Sequence, residues 1–123
     1  MSYLTLNDIE SYRISFELSN KVWDLVIAWS YLAQKTIGAQ FIDASDSISA
    51  NIAEGFGRYH KKDKIKFYHY SKGSVMECFD WLEKAFRRKL INEKEYIELK
   101  TELEKLPKSI NGLIKFTNLK LKE

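Results

Sequence analysis

The chain has 123 residues, 45% of them apolar and 30% charged, with a formal net charge of +3 and a single cysteine, Cys78. That is one domain's length with enough apolar surface for a packed interior, which excludes a disordered chain. One thiol excludes an internal disulfide and favours a reducing compartment; the polar, acidic start MSYLTLNDIESYR is not a secretory signal, and no apolar run reaches the roughly 18 residues of a membrane span, so a cytoplasmic protein with no membrane partner is expected.

Proline occurs once and glycine five times, and the apolar residues recur at helical spacing throughout. A first helix is expected over 8–32, capped by Asn7 with Glu10 closing a capping box, and burying Ile9, Tyr12, Phe16, Ser19, Trp23 and Val26. A second is expected over 37–56, with Ile37, Phe41, Ala44, Ile48 and Asn51 on its seam. Gly55 and Gly57 suit its end, because glycine tolerates the left-handed conformation of many helix caps. The third spans 61–89, with a heptad seam of Ile65, Tyr68, Lys72, Val75, Phe79, Leu82 and Phe86. Asp63 in its first turn and Arg87, Arg88 and Lys89 in its last complement the helix dipole. The fourth spans 93–120, opened by a capping box of Asn92 and Glu95 and seamed by Tyr96, Leu99, Leu103, Leu106, Ile110, Leu113 and Thr117. Pro107 falls inside it, and the unbroken phase of the stripe predicts a kink rather than two helices. Short links place sequential helices antiparallel, so residues 1–123 read as one all-α, up-down-up-down four-helix bundle.

The second helix is unusual in its small residues, Ala44, Ser45, Ser47, Ser49, Ala50, Ala53 and Gly55. Small side chains permit close approach, so this helix is expected between partners on more than one side, or against another subunit. Asn51 lies on the apolar seam and needs a partner, since a buried unpaired amide costs about 1–3 kcal/mol. Glu54 stands four residues before Arg58, the spacing of an ordinary helical ion pair; a network joining Asn51, Glu54 and a serine of another helix is the sharper alternative.

The segment SISANIAEGFGRYHKKDKIKFYHYSKGSVMECFDWLEKA resembles the signature of the bacterial four-helix-bundle proteins encoded in intervening sequences of 23S ribosomal RNA genes. The matching elements are Ser47 to Gly55, the Gly55–Gly57–Arg58 turn, the basic helix start Lys61 to Lys64, and Gly73-Ser74-Val75-Met76-Glu77. Ser47, Asn51, Glu54, Gly55, Gly57, Ser74 and Glu77 are therefore taken as the structural motif. His60 replaces the family's usual serine cap, and Asp63 the glutamate three residues on. The resemblance implies a bundle assembled as a ring-like homopentamer. It also implies kinship in fold with the accessory variability proteins of diversity-generating retroelements, which bind nucleic acid and a reverse transcriptase.

Catalytic chemistry is poorly supported. His60 and His69 fall on different helix faces, no Glu-x-x-His pair exists for a di-iron site, and one cysteine with two histidines cannot build a structural zinc centre. Cys78 beside the seam reads as a packed small hydrophobe. No enzyme, cofactor or metal is expected. Charge is more informative: residues 1–57 hold 3 basic and 7 acidic side chains, and residues 58–123 hold 17 and 10. Two basic clusters stand out, Arg58, Lys61, Lys62, Lys64 and Lys66, then Arg87, Arg88 and Lys89. The first is interleaved with Tyr59 and His60 and lies at a helix start, where backbone donors and the dipole suit phosphate. A homo-oligomer that binds RNA or DNA through these helix ends is one expectation; a scaffold whose partner is a protein, such as a polymerase or reverse transcriptase, is the other.

Overall fold

The structure, a computed structural model, describes residues 4–121; residues 1–3 and 122–123 of the expected domain lie outside the described residues. It is all-helical. A 3₁₀ turn, Leu6–Asp8, leads into α1 (Glu10–Val26). A single α turn, Tyr31–Ala33, and a π turn, Gln34–Gly38, run without a break into α2 (Ala39–Gly57). Then follow α3 (Lys61–Arg87) and α4 (Glu93–Lys120). Antiparallel neighbours are tied along their lengths: the Ser71 hydroxyl of α3 donates to the Ile48 carbonyl of α2 at 2.8 Å, the Tyr96 hydroxyl of α4 to Glu83 of α3 at 2.6 Å, and Lys21 of α1 pairs with Glu98 of α4 at 3.1 Å.

The first helix stops six residues before the expected position, 32, and the second begins six before its expected start, 37. Nothing in the local composition marks the corner, because tertiary contacts make it. Ser30 caps the new helix by accepting from the Ala33 N–H, and the Gln34 side-chain amide donates to the carbonyls of Val26 and Ile27 that α1 leaves open. Gly38 lets the corner fold tightly, since a Cβ there would meet the Val26 methyl at 2.7 Å. At the other end of α1 the expected Asn7–Glu10 box does not form. The cap is shifted to Thr5, whose N–H and hydroxyl both donate to the Asp8 carboxylate and hold its pKa below the ordinary value. The Asn92–Glu95 box at the start of α4 does form, with both hydrogen bonds below 3 Å.

The core corrects two seams. On α1 the buried positions are Ser11, Ser15, Leu18, Ser19, Val22 and Val26, whereas Phe16 and Trp23 are 47% and 53% exposed. On α3 they are Tyr68, Ser71, Val75, Cys78, Leu82 and Ala85, and Phe86 sits at the edge, stacked on Tyr96 at 4.3 Å. Small residues take the innermost positions because helices packed 8–10 Å apart leave little room between their axes. The buried serines meet their hydrogen-bonding needs on backbone, Ser15 at the Ser11 carbonyl and Ser19 at Phe16. The α4 seam holds Leu99, Leu103, Leu106, Ile110 and Thr117, and α4 runs unbroken through Pro107.

α3 ends at Arg87, not Lys89. Lys89 adopts φ 61°, and the Leu90 N–H reaches back to the Ala85 carbonyl, a turn normally built on glycine. A left-handed lysine costs about 1–2 kcal/mol, part of which the extra freedom of an unfolded glycine offsets. Lys89→Gly is therefore expected to stabilise the fold by about 0.5–1 kcal/mol, read as a higher denaturation midpoint at unchanged slope.

Candidate nucleic-acid interface

The α2–α3 connection is three residues, Arg58, Tyr59 and His60. Neither Gly55 nor Gly57 has positive φ, so neither serves as the expected left-handed cap. Gly55 instead lies inside α2 and is buried, where a Cβ would sit 2.8 Å from the Tyr68 ring and 2.9 Å from the Lys64 carbonyl. The missing side chain lets α2 and α3 meet closely right before the turn. Gly57 faces open space.

Around this turn the first basic cluster is assembled, though its members are not equivalent. The Arg58 guanidinium is clamped between Glu54 at 2.8 Å and the face of Phe67 at 4.7 Å. Lys66 lies 5.9 Å from the ring centres of Phe67 and Tyr70. Lys62 is exposed. Lys61 donates to the Leu121 carbonyl at 3.3 Å, which brings the end of α4, and with it Lys120, to the same end of the bundle. Sequence reading did not include Lys120; only antiparallel packing could show that a residue sixty positions away joins the cluster. Lys64 departs from the group. Its ammonium turns inward, donates to the Phe56 carbonyl at 2.7 Å, and has its pKa lowered by burial.

Tyr59 projects from the turn at 89% exposure, its ring edge-on to His60 at 5.1 Å. His60 occupies the N-cap of α3 without a side-chain cap bond, so no side chain closes the positive end of that helix. An exposed aromatic ring among cations at an uncapped helix start can stack a base while lysines meet phosphate.

The second cluster is not part of this site. Arg87, Arg88 and Lys89 sit at the far end of α3, roughly 40 Å away by helical rise. There they share the bundle end with Glu93 and Glu95 of the first turn of α4, which weakens their field. The motif residues act locally. The Asn51 amide, half-buried, donates to the Ser47 carbonyl at 2.8 Å; the Ser47 hydroxyl donates to Asp43, Ser74 to Tyr70, and Glu77 accepts from the Trp81 indole. The proposed network of Asn51, Glu54 and a serine does not form. Its place as the polar tie between helices is taken by Ser71 and the Ile48 carbonyl, because the Asn51 side chain reaches its own helix backbone first.

Cys78 is fully buried, and desolvation together with nearby Glu77 and Asp46 drives its thiol pKa far above the ordinary value, so it is not a nucleophile at neutral pH. Among the described residues no three His, Cys, Asp or Glu side chains are grouped to hold a metal ion, and no helix is long and apolar enough to cross a membrane.

Residues 7–112 match the model of a family described as 23S rRNA-intervening sequence protein. No curated protein matches. Among solved structures, the fold is similar to that of a protein with unknown function from the S23 ribosomal protein family of Bacteroides thetaiotaomicron VPI-5482, with a TM-score of 0.75 at 22% identity over 85% of this chain and 97% of that one.

Proposed function

The chain belongs to the 23S rRNA-intervening sequence protein family, and on that footing we propose that it is a non-enzymatic, homo-oligomeric accessory protein that binds RNA or DNA through the α2–α3 end of its bundle. The observation that carries this reading is the convergence of Lys61, Lys62, Lys66 and Lys120 around the exposed Tyr59 at the start of α3. Contacts of this kind go to phosphate and base faces and carry little sequence information.

Assembly is supported by surface the monomer leaves uncovered. Phe16, Trp23 and Ile27 form one strip along α1, and Tyr31 and Leu32 extend it over the corner. On α3, Gly73 is exposed in mid-helix with nothing within 4 Å of its absent Cβ. A mid-helix glycine costs about 0.5–1 kcal/mol relative to alanine, and close approach by a neighbouring copy accounts for it. We read the assembly as a ring of five, the number the family resemblance implies. A ring repeats the basic turn and raises weak sites to avidity.

The test is a salt titration of binding to a single-stranded oligonucleotide. The logarithm of the binding constant is expected to fall linearly with the logarithm of salt concentration, with a slope of about −0.7 per phosphate neutralised. Affinity flat against salt rejects the reading and leaves a protein partner, such as a polymerase or reverse transcriptase, docked on the exposed apolar strip.

A further inference from the structure

α1 has 17 residues, whereas α3 and α4 have 27 and 28. The shorter helix leaves the last turns of α4 uncovered at the basic end of the bundle. There a groove of about 940 Å³ opens between the start of α1 and the second half of α4, and it reaches inward to Phe56, Lys64 and Tyr68. Its walls are mainly apolar, with Ile9, Ile14, Leu113 and Phe116 prominent among them.

Two polar features of this wall are unsatisfied. Ser11 is 1% exposed, and its hydroxyl is the one buried side-chain polar atom without a hydrogen-bond partner among the described residues. Its neighbours on α1 do not share the problem: Ser15 and Ser19 both bond backbone carbonyls. The second feature is the Lys64 ammonium. It is partly desolvated, its single hydrogen bond goes to the Phe56 carbonyl, and no carboxylate of the described residues lies within ion-pair distance. The lysines of the rim differ, since Lys108 and Lys120 face solvent and Lys105 already pairs with Glu102. A half-buried cation lacking a counter-charge favours an anion at that point. The Tyr68 hydroxyl group stays protonated, its pKa pushed up to about 12 by burial, and lines the same inner wall as a neutral polar group.

We propose that this groove binds one amphipathic organic anion per chain, an acyl-chain carboxylate whose acid head pairs with Lys64 and whose apolar chain lies along Ile14, Leu113 and Phe116. The volume falls in the range of small-molecule sites and holds a chain of about twelve carbons. The site is separate from the phosphate-binding turn and does not depend on it.

Calorimetry of the full chain with dodecanoate, dodecanol and dodecylammonium tests the assignment. Dodecanoate is expected to bind saturably at one per chain, and dodecylammonium at least tenfold more weakly. Lys64→Gln, which keeps a donor for the Phe56 carbonyl, is expected to weaken dodecanoate at least tenfold and dodecanol less than threefold. Gly112→Phe supplies an independent check. Gly112 lines the groove and has open space around its missing Cβ, so the variant keeps the helix and fills the site, and binding of both ligands is expected to vanish. Equal affinity for the carboxylate and the amine, dodecanoate binding undiminished in Lys64→Gln, or no saturable binding to the unaltered chain overturns the proposal. A fall in oligomer mass in Gly112→Phe without any dodecanoate binding to the unaltered chain assigns the groove to a second copy instead.

Discussion

Gly55→Ala is expected to lower the melting temperature by roughly 5–10 °C, while Gly57→Ala, two residues on, leaves it within about 2 °C of the unaltered protein. A methyl group at position 55 would meet the Tyr68 ring at 2.8 Å and the Lys64 carbonyl at 2.9 Å. The tyrosine is 1% exposed and cannot swing away, and the carbonyl belongs to the backbone of α3. Relief therefore requires the two helices to separate at their closest point, beside a turn of three residues that holds them together. Overpacking of this kind costs about 1–3 kcal/mol, and the gain of about 0.5–1 kcal/mol in helix propensity recovers only part of it. At position 57 the added methyl meets nothing within 4 Å, and the φ is already one alanine adopts. Thermal unfolding followed by circular dichroism reads the contrast. Equal melting temperatures for the two variants would remove the close approach of α2 and α3 from the account of this turn.

Replacing Lys62 and Lys66 by glutamate is expected to weaken oligonucleotide binding at low salt by about a hundredfold and to flatten the salt dependence by about one unit of slope per lysine. Both side chains are exposed, and Lys66 makes only long contacts to Phe67 and Tyr70, so the fold should survive the change. The same double reversal at Arg87 and Arg88 is expected to cost less than about threefold, because those residues lie roughly 40 Å away along α3 beside Glu93 and Glu95. In an oligomer the loss at the first end is multiplied over copies that engage one strand. Losses of equal size at the two ends would show a diffuse electrostatic attraction and no interface at the turn.

Much of the architecture was legible in the spacing of residues. The α4 seam from Leu99 to Ile110 and the Asn92–Glu95 cap can be read locally, because the side chains that make them stand three or four positions apart on one helix. The buried thiol of Cys78 was legible for the same reason. The α1–α2 corner was not, since it depends on Gln34 reaching the end of α1 and on Gly38 admitting Val26, contacts between segments. The α1 and α3 seams were misplaced by about one position because Phe16, Trp23, Phe79 and Phe86 are the most apolar residues available, and period alone cannot tell a stripe facing its own core from one left for another surface. In the candidate site, the basic turn could be found from its run of lysines, whereas the inward turn of Lys64, the arrival of Lys120 and the unpartnered Ser11 hydroxyl could not.

By itself the sequence determined that this protein is helical throughout, where most of its polar caps lie, and that positive charge gathers at the ends of the third helix, because each is a property of residues near one another along one rod. Only the tertiary structure decided which side of α1 and α3 faces inward, which lysines share a bundle end, and that a short first helix leaves an apolar groove beside a desolvated ammonium. Those outcomes turn on distances between rods, and such distances are set by how small side chains such as Gly55, Ser71 and Ala85 let the backbones close together.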